Sequence, residues 1–393
     1  MSVELDHTGN SVTVVVEHTG GQNLHACPEC SASGRFYDTK PRKWRHLDTC
    51  QYLAIIQAEI PRIECKEHGV RMISVPWAEK GSRYTALYEL LIISWLKDGS
   101  ISAVARHFGM GWDAVEGIRD RAVKRGLARR GQLKPVHLQI DETSEKKGHK
   151  YLTIVSEKKK VLYVTQGRKK EDLEPFWGKL ADAAVAGIQS ISMDLWQAYM
   201  SNVQEHVPQW NRTICLDRFH VAGYYTKAVD LVRKAEHREL MKNGNECLKG
   251  SKYQWLRTNS KMDGRGRTSF NVLRKIILKT SRAWMIKETA SVLWDYVYRR
   301  SAEKAWLRLL SWMSRSRLEP MIKLGKTIRK NLWAILNAVE LKESNAYAES
   351  NNARIQKIKK MSCGFRNPES FKNAIYFHCG ELDLSPRTVA CAT

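Results

Sequence analysis

Three carboxylates and two pairs of metal-ligating residues stand out by their surroundings. The stretch Val136–Thr143 reads VHLQIDET, opened by Pro135, with Val136, Leu138 and Ile140 alternating with His137, Gln139 and Asp141. A period of two is the signature of a strand whose successive side chains face opposite ways. It therefore reads as a buried strand ending in Asp141, with Glu142 turned to the other face and kept as structural. Ile188–Met193 is a second apolar strand and ends in Asp194. The third acid, Glu349, lies near the start of a helix expected over Ala346–Met361. It shares a face with Asn352, Ala353 and Gln356 at i+3, i+4 and i+7, while Arg354, Lys357, Lys359 and Lys360 make that helix basic. Each acid alone has a bland reading, as a strand leaving the core or a favourable charge at a helix N-terminus. Together, two strand ends and one helix can hold two Mg²⁺ ions (or Mn²⁺), hard cations that take oxygen ligands. Such a pair activates an attacking oxygen and stabilises a leaving one, which is a chemistry for phosphodiester bonds. The amides and cations around Glu349, namely Asn352, Arg354, Lys357 and Lys360, then become candidates to bind nucleic-acid phosphate.

The second constellation is Cys27-Pro28-Glu29-Cys30 with Cys65-Lys66-Glu67-His68. A two-residue gap lets both ligands of a pair reach one tetrahedral ion, and four protein ligands close the site, so a structural Zn²⁺ is expected. The 34 residues between the pairs, Ser31–Glu64, have room for two or three strands, of which Tyr52–Ile60 is one, leading through Pro61 to the second pair. His46 and Cys50 also lie in that interval and could replace a ligand.

These residues need elements to hold them. Ser11–Glu17 alternates as a short strand. Tyr84–Lys124 divides into three helices. The first is apolar through Leu87, Leu90, Leu91, Ile92, Ile93, Trp95 and Leu96, and reads as buried all round. The second is Ile101–Phe108 with Ser100 as N-cap. After the turn Gly109-Met110-Gly111 comes the third, Trp112–Arg125, with Val115, Ile118 and Ala122 inward. Two helices about a glycine turn form a helix-turn-helix pattern, with Arg119, Arg121 and Lys124 directed at DNA. Gly126–Lys134 reads as a basic linker. The strand to Asp141, a hairpin of Tyr151–Ser156 and Lys160–Thr165, an amphipathic helix over Glu171–Ala186 and the strand to Asp194 follow. Then come a helix over Trp196–His206, a strand over Thr213–Leu216 ending in Asp217-Arg218-Phe219-His220, and a helix over Ala222–Lys242. That is a mixed α/β order, with a hairpin first and helical crossovers after it. Asp217 and His220 are candidates to support the acids from behind or to touch DNA; the bland alternative is a polar cap where strand meets helix.

Bulk properties agree. With 393 residues the chain expects two to four domains. It carries 65 Lys plus Arg against 41 Asp plus Glu, a net charge of +24, which favours a polyanionic partner. Residues 233–330 hold 25 basic against 8 acidic residues and five tryptophans, which reads as a helical insertion with an aromatic core and a DNA-facing basic surface, with Gly264–Arg267 as a flexible basic loop. No run is long and apolar enough to span a bilayer. Nine cysteines without an export signal point to a reducing compartment rather than disulfides.

In this order and spacing the motifs resemble those of a DDE transposase with an RNase H-like catalytic core, and more narrowly the ISL-three family of bacterial insertion-sequence transposases. The matching pieces are the two ligand pairs, the helix-turn-helix, Ile140-Asp141-Glu142, Met193–Tyr199, Asp217–Val221, Glu349-Ser350-Asn351-Asn352 and the tail Cys363–Asn367. The gaps between the acids are 53 and 155 residues, the longer one holding the helical insertion. His68 stands where related zinc modules often carry cysteine. The resemblance implies a multidomain α/β protein: a zinc module over 1–80, helix-turn-helix over 81–130, first part of the core over 135–232, insertion over 233–340 and the end of the core over 341–393. It implies that Asp141, Asp194 and Glu349 hold Mg²⁺ for cleavage of a DNA strand and for attack of the freed 3′-hydroxyl on target DNA. The implied partners are duplex DNA, as terminal inverted repeats and target, and at least one further copy of the chain; the implied place is the cytoplasm, at the nucleoid when bound. A non-catalytic DNA-binding descendant of such an enzyme and a nuclease of the same fold are the alternatives.

Overall fold

A computed structural model describes residues 1–17, 25–146, 150–258, 264–276, 278–342 and 346–386. The chain forms two compact units, one of residues 1–130 with the chain from Ile358 onward, the other of residues 131–357.

The first unit begins with a six-stranded sheet of β1 (Ser2–Asp6), β2 (Ser11–Val16), β3 (His25–Ala26), β4 (Ser33–Arg45), β5 (Leu53–Cys65) and β6 (Gly69–Met72), in the order β1-β2-β5-β4-β3 with β6 on β5. The long β4–β5 pair forms its spine, from Arg35 opposite Glu64 to Arg45 opposite Ile55. The strand expected over Tyr52–Ile60 continues through Pro61 to Cys65 and so carries the second ligand pair on its end.

Three helices follow. Thr85 caps α1 (Ala86–Leu96) by accepting from the Tyr88 amide, and Ser100 caps α2 (Ile101–His107) by accepting from the Ala103 amide. Gly109, at φ +61, makes the turn into α3 (Trp112–Arg129). The expectation that α1 is buried all round is corrected. Tyr88, Ile92, Ile93 and Leu96 face inward, whereas Leu87, Leu90 and Trp95 are exposed. An isotropic apolar composition does not say how many sides have neighbours.

The linker expected at Gly126–Lys134 is also corrected, since α3 runs on through Arg129. Its arginines hold the C-terminal segment. Arg125 donates to the Leu384 carbonyl, Arg129 to Asp383 and the Ser385 carbonyl, and Arg130 to the Gly380 carbonyl. Helix Pro368–Cys379, capped by Asn367 and buried through Phe371, Ala374 and Ile375, packs on α3. The tail expected to finish the catalytic core thus belongs, from Ile358 on, to the unit that holds the helix-turn-helix.

The second unit is built on a five-stranded mixed sheet. Its strands are β7 (His137–Lys146), β8 (Lys150–Glu157), β9 (Lys160–Gln166), β10 (Ser190–Met193) and β11 (Ile214–Leu216), in the order β11-β10-β7-β8-β9. β7, β8 and β9 form an antiparallel meander, while β10 and β11 join parallel to β7. This is the mixed sheet expected of an RNase H-like core. The single helix expected over Glu171–Ala186 is instead a 3₁₀ turn and two short helices, Glu174–Trp177 and Asp182–Ala186. Leu173, Phe176, Trp177 and Leu180 are buried as expected; Pro175 and Gly178 interrupt the run between them.

The basic region after β11 is mostly helical, with turns at 243–251 and short non-helical joints between later helices. Its segment Gly264–Arg267 begins a helix, Gly264–Ile276, rather than forming a loop. Trp255, Trp284 and Trp306 lie in one hydrophobic cluster with Leu138, Ile191 and Ile214 of the sheet. The insertion is therefore not a separate body. Helix Leu332–Glu340 packs against β11, and Asn337 donates its amide to the carbonyls of Ile214 and Asn211.

Gly126 tests the seat of the C-terminal segment. A Cβ there would stand 2.7 Å from Leu382 Cβ and 3.1 Å from the Asp383 carbonyl oxygen. Gly126→Val is expected to destabilise this unit by about 1–3 kcal/mol and to open residues 380–386 to protease. Thermal melting and limited proteolysis read both effects, and an unchanged melting point with unchanged cleavage contradicts this packing.

Candidate active site

Strand register assembles the acids. Ile140 pairs with Met193, and Met193 with Leu216, across three adjacent parallel strands. The residue that follows each is an aspartate: Asp194 and Asp217 just past the ends of β10 and β11, and Asp141 within β7, which runs on to Lys146 instead of ending at Asp141 as expected because its antiparallel pairing with β8 continues. Three carboxylates thus fall in one row, at the end of the sheet where parallel strands conventionally deliver functional groups. Asp217 also caps helix Arg218–Lys242 by accepting from the Phe219 amide. One turn on, His220 enters the row. Its Nδ1 is 3.6 Å from Asp194 Oδ2, and its Nε2 is 3.4 Å from Asp217 Oδ2 and 3.9 Å from Asp141 Oδ1.

Two of the three catalytic candidates, Asp141 and Asp194, are oriented by fixed donors. Asp141 Oδ1 accepts from the Glu142 amide at 2.7 Å and Oδ2 from the Asn352 side chain at 2.6 Å. Asp194 Oδ1 accepts from the Leu195 amide at 2.6 Å and from the Tyr224 hydroxyl at 2.9 Å, while its Oδ2 faces His220. Glu349 is exposed on the first turn of helix Ala346–Met361. It lies one turn before Asn352, on the face that meets Asp141. Asp141 and Asp194 are therefore brought to one place through His220, whereas Glu349 is exposed one helical turn before Asn352. Among the described residues the three acids do not close into a cluster of ligand atoms within 4.8 Å, as the zinc ligands do.

The electrostatics show a surplus of negative charge. Burial, and then the nearby Asp194 carboxylate, push the Asp141 carboxyl up, although the Glu142 amide, His220 and Asn352 oppose this. Burial, with Asp141 adding, pushes Asp217 up to about 6. Glu142 rises by burial and by its neighbours Asp141 and Asp194; Arg168, 3.9 Å away, is its counter-charge, and its Oε2 is buried without a hydrogen bond. Three aspartates around one imidazole, with Glu142 next along the chain, form the kind of site that a divalent cation with oxygen ligands would relieve. The donor set fits such an ion.

Two residues near this row were not foreseen. Tyr224 follows Asp217 and His220 at i+7 and i+4, so the helical period pointed to it once Asp217 began a helix. Arg168 is stacked between the rings of Tyr151 and Trp196, its guanidinium carbon 4.6 Å from each centroid. Only the fold pairs those rings, and no local spacing reveals it.

Several expected DNA contacts need correction. Arg119 is only 3% exposed and is bonded to Glu116, Asp120 and Ser370. Arg121 donates to the buried Glu89 at 2.5 Å. Both are paired with acids; Arg119 is turned inward, Arg121 keeps 32% of its side chain exposed, and Lys124 stays exposed. Asn352 is committed to Asp141, and Arg354 donates to the Lys159 carbonyl. Lys357 and Lys360 remain exposed.

The second constellation closes as expected. Cys27, Cys30, Cys65 and His68 offer ligand atoms all within 4.8 Å of one another. His68 Nδ1 is 3.9 Å from Cys27 Sγ and 3.7 Å from Cys65 Sγ, and Cys30 Sγ is 3.6 Å from Cys65 Sγ. Zn–S bonds of about 2.3 Å and Zn–N bonds of about 2.0 Å put tetrahedral ligands roughly 3.5–3.8 Å apart. The set fits a structural Zn²⁺. Backbone amides of His68 and Glu67 and the His68 ring lower the Cys65 thiol to about 6, favouring the thiolate that binds metal. The possible substitutes are elsewhere: His46 bonds Thr85, and Cys50 is exposed. One zinc per chain is expected by elemental analysis. Cys27→Ser, or chelation, is expected to abolish that content and make residues 25–80 protease-sensitive; full zinc retention in the variant overturns the ligand set.

Comparison with known proteins bears on all three parts of the chain. A transposase family model of the ISL3 (ISL-three) type matches residues 138–375. A model of the helix-turn-helix domain of transposase family ISL3 matches residues 73–123, and one of the zinc-finger of transposases IS204/IS1001/IS1096/IS1165 matches residues 23–68. The transposase for insertion sequence element IS1001 of Bordetella parapertussis is 24% identical, over 92% of this chain and 90% of its own length. The transposase for insertion sequence element IS1557 of Mycobacterium tuberculosis (strain CDC 1551 / Oshkosh) is 26% identical, over 93% and 88%. With the catalytic-core model covering more than half of the chain, and the zinc and helix-turn-helix models filling most of the rest, this chain belongs to the ISL3 family of transposases, which implies DNA binding and DNA cleavage and transfer.

Proposed function

We propose that Asp141, Asp194 and Glu349 are the catalytic acids, and that they hold a pair of Mg²⁺ ions (Mn²⁺ serving as substitute) for strand cleavage and strand transfer at the ends of an insertion sequence. The observation that carries this reading is the registered row of Asp141 and Asp194, crowded enough that burial and like charge raise Asp141. When bound, the metal pair supplies an activated attacking oxygen and charge stabilisation on the leaving oxygen. The chain's own groups do the rest. The Glu142 and Leu195 amides, Asn352 and Tyr224 fix the carboxylate rotamers, leaving Asp194 Oδ2 directed into the row. His220 lies between three aspartates, with Asp217 beside its Nε2 edge. Glu349 approaches from the helix that Asn352 ties to Asp141. Lys124, Lys357 and Lys360 remain the exposed cations for DNA backbone, with terminal repeats and target as ligands and a further copy of the chain bound at the second end.

Asp194→Asn keeps shape and removes charge. It is expected to lower Mg²⁺-dependent cleavage and joining of DNA carrying the element's ends by about 10³-fold, with DNA affinity retained; parental activity in the variant means the acids are misassigned. Tyr224→Phe removes one hydrogen bond and is expected to cost several-fold.

A paired substitution on α3 separates its two kinds of cation. Arg119→Ala strands Glu116 and Asp120 and should destabilise the unit by ~1–3 kcal/mol with the salt dependence of DNA binding unaltered. Lys124→Ala should leave the melting point alone and reduce the salt slope of DNA binding by about 1. The reverse pattern refutes the assignment.

A further inference from the structure

Helix Arg299–Arg315 has two faces of different chemistry. Ala302, Trp306, Leu309, Leu310 and Met313 are buried. At about 100° per residue, Arg300, Lys304, Arg308 and Arg315 fall within an arc of about 80° on the opposite side, and all four are exposed. Glu303 is the one carboxylate in the helix. Arg299 is already engaged by Glu340 and Asn337. Arg300, Lys304 and Arg308 have no acidic partner within 4 Å among the described residues, and Arg315 meets only the Ser311 carbonyl.

Elsewhere in this unit several lysines have acids beside them. Lys170 pairs with Glu205, Lys234 with Asp230, Lys249 with Glu246 and Lys279 with Glu239. A face that merely meets water carries both signs; this one carries a single sign on a rigid support. Helix Glu319–Lys330 packs against it, with Gly325 close to Met313, and adds exposed Lys326, Arg329 and Lys330. Like charges held this way repel one another, and a polyanion would relieve that repulsion.

We propose that the Arg300–Lys304–Arg308–Arg315 stripe binds the phosphate backbone of duplex DNA without reading sequence. This rests on the transposase reading for the class of ligand and adds a surface separate from the acids and from the helix-turn-helix. The stripe is about 22 Å long, the axial rise of roughly six base pairs. Between its cations it offers Ser311 and no asparagine or glutamine for a base edge, which favours positioning over readout.

The test is binding of full-length protein, without Mg²⁺, to a short random-sequence duplex and to one carrying an element end, between about 50 and 200 mM salt. The triple variant R300A/K304A/R308A is expected to bind both duplexes more than tenfold more weakly, with the slope of log affinity against log salt reduced by about 2–3. Arg300→Lys with Arg308→Lys should restore the slope. Because these side chains are exposed, the melting point should not move, so lost binding reports the surface and not the fold. An unchanged slope, or a loss confined to the element-end duplex, overturns the proposal. No cleavage is read, so a chain that binds by this stripe but never cuts DNA would sink the catalytic assignment and leave this one standing.

Discussion

The second unit depends on the register between β7, β10 and β11. Parallel strands are evenly bonded, so Ile140, Met193 and Leu216 sit side by side, and whatever residue follows each of them is delivered to one place. A slip of one residue would exchange the apolar set of a strand with the buried polar residues of its other face, such as Gln139, Ser190 and Ser192. Leu138, Ile140, Ile191, Met193, Ile214 and Leu216 are all buried, so that slip is opposed by the whole core. The hydrophobic pattern that stabilises the sheet is thus the same pattern that gathers three aspartates. Their mutual repulsion is tolerated because the core over-determines their position.

The first unit solves a different problem. Its sheet has small cores, such as Cys27, Ile63 and Cys65 in one place and Trp44, Ala58 and Ile60 in another. Four metal ligands concentrated at the end of the β4–β5 pair supply what little apolar burial cannot. The helical part has its own tie, for α3 is gripped along one side by helix Pro368–Cys379 and by carbonyls from Gly380 to Ser385. The chain's two ends therefore meet in one body, while residues 131–357 form the other.

Much of this was readable in the sequence. Strand alternation located Asp141, apolar runs located Asp194 and Asp217, and ligand spacing located the cysteines and His68. The sequence was mute where a side chain's direction depended on a distant neighbour. Arg119 and Arg121 read as DNA contacts because basic residues on a recognition helix usually are. The acids that engage them, Glu116 and Asp120 on the same helix and Glu89 on α1, carry no local signal of that role. Leu87 and Trp95 read as buried because composition does not count neighbours. The run Glu171–Ala186 kept its helical period in its buried residues although Pro175 and Gly178 broke the backbone. Gly126 looked like a breaker, yet its missing side chain is what admits Leu382.

Asn337 gives the helical region after β11 a meaning beyond bulk. Its amide occupies the carbonyl of Ile214 on an edge strand, and helix Leu332–Glu340 lies over that edge with Ile335 and Leu336 in the common core. An uncovered edge strand invites pairing with foreign chains. A shortened core made by excising residues 233–340 would therefore not be a smaller version of the same body. It would have a sticky margin and a stripped hydrophobic face, and would be expected to aggregate rather than to work slowly.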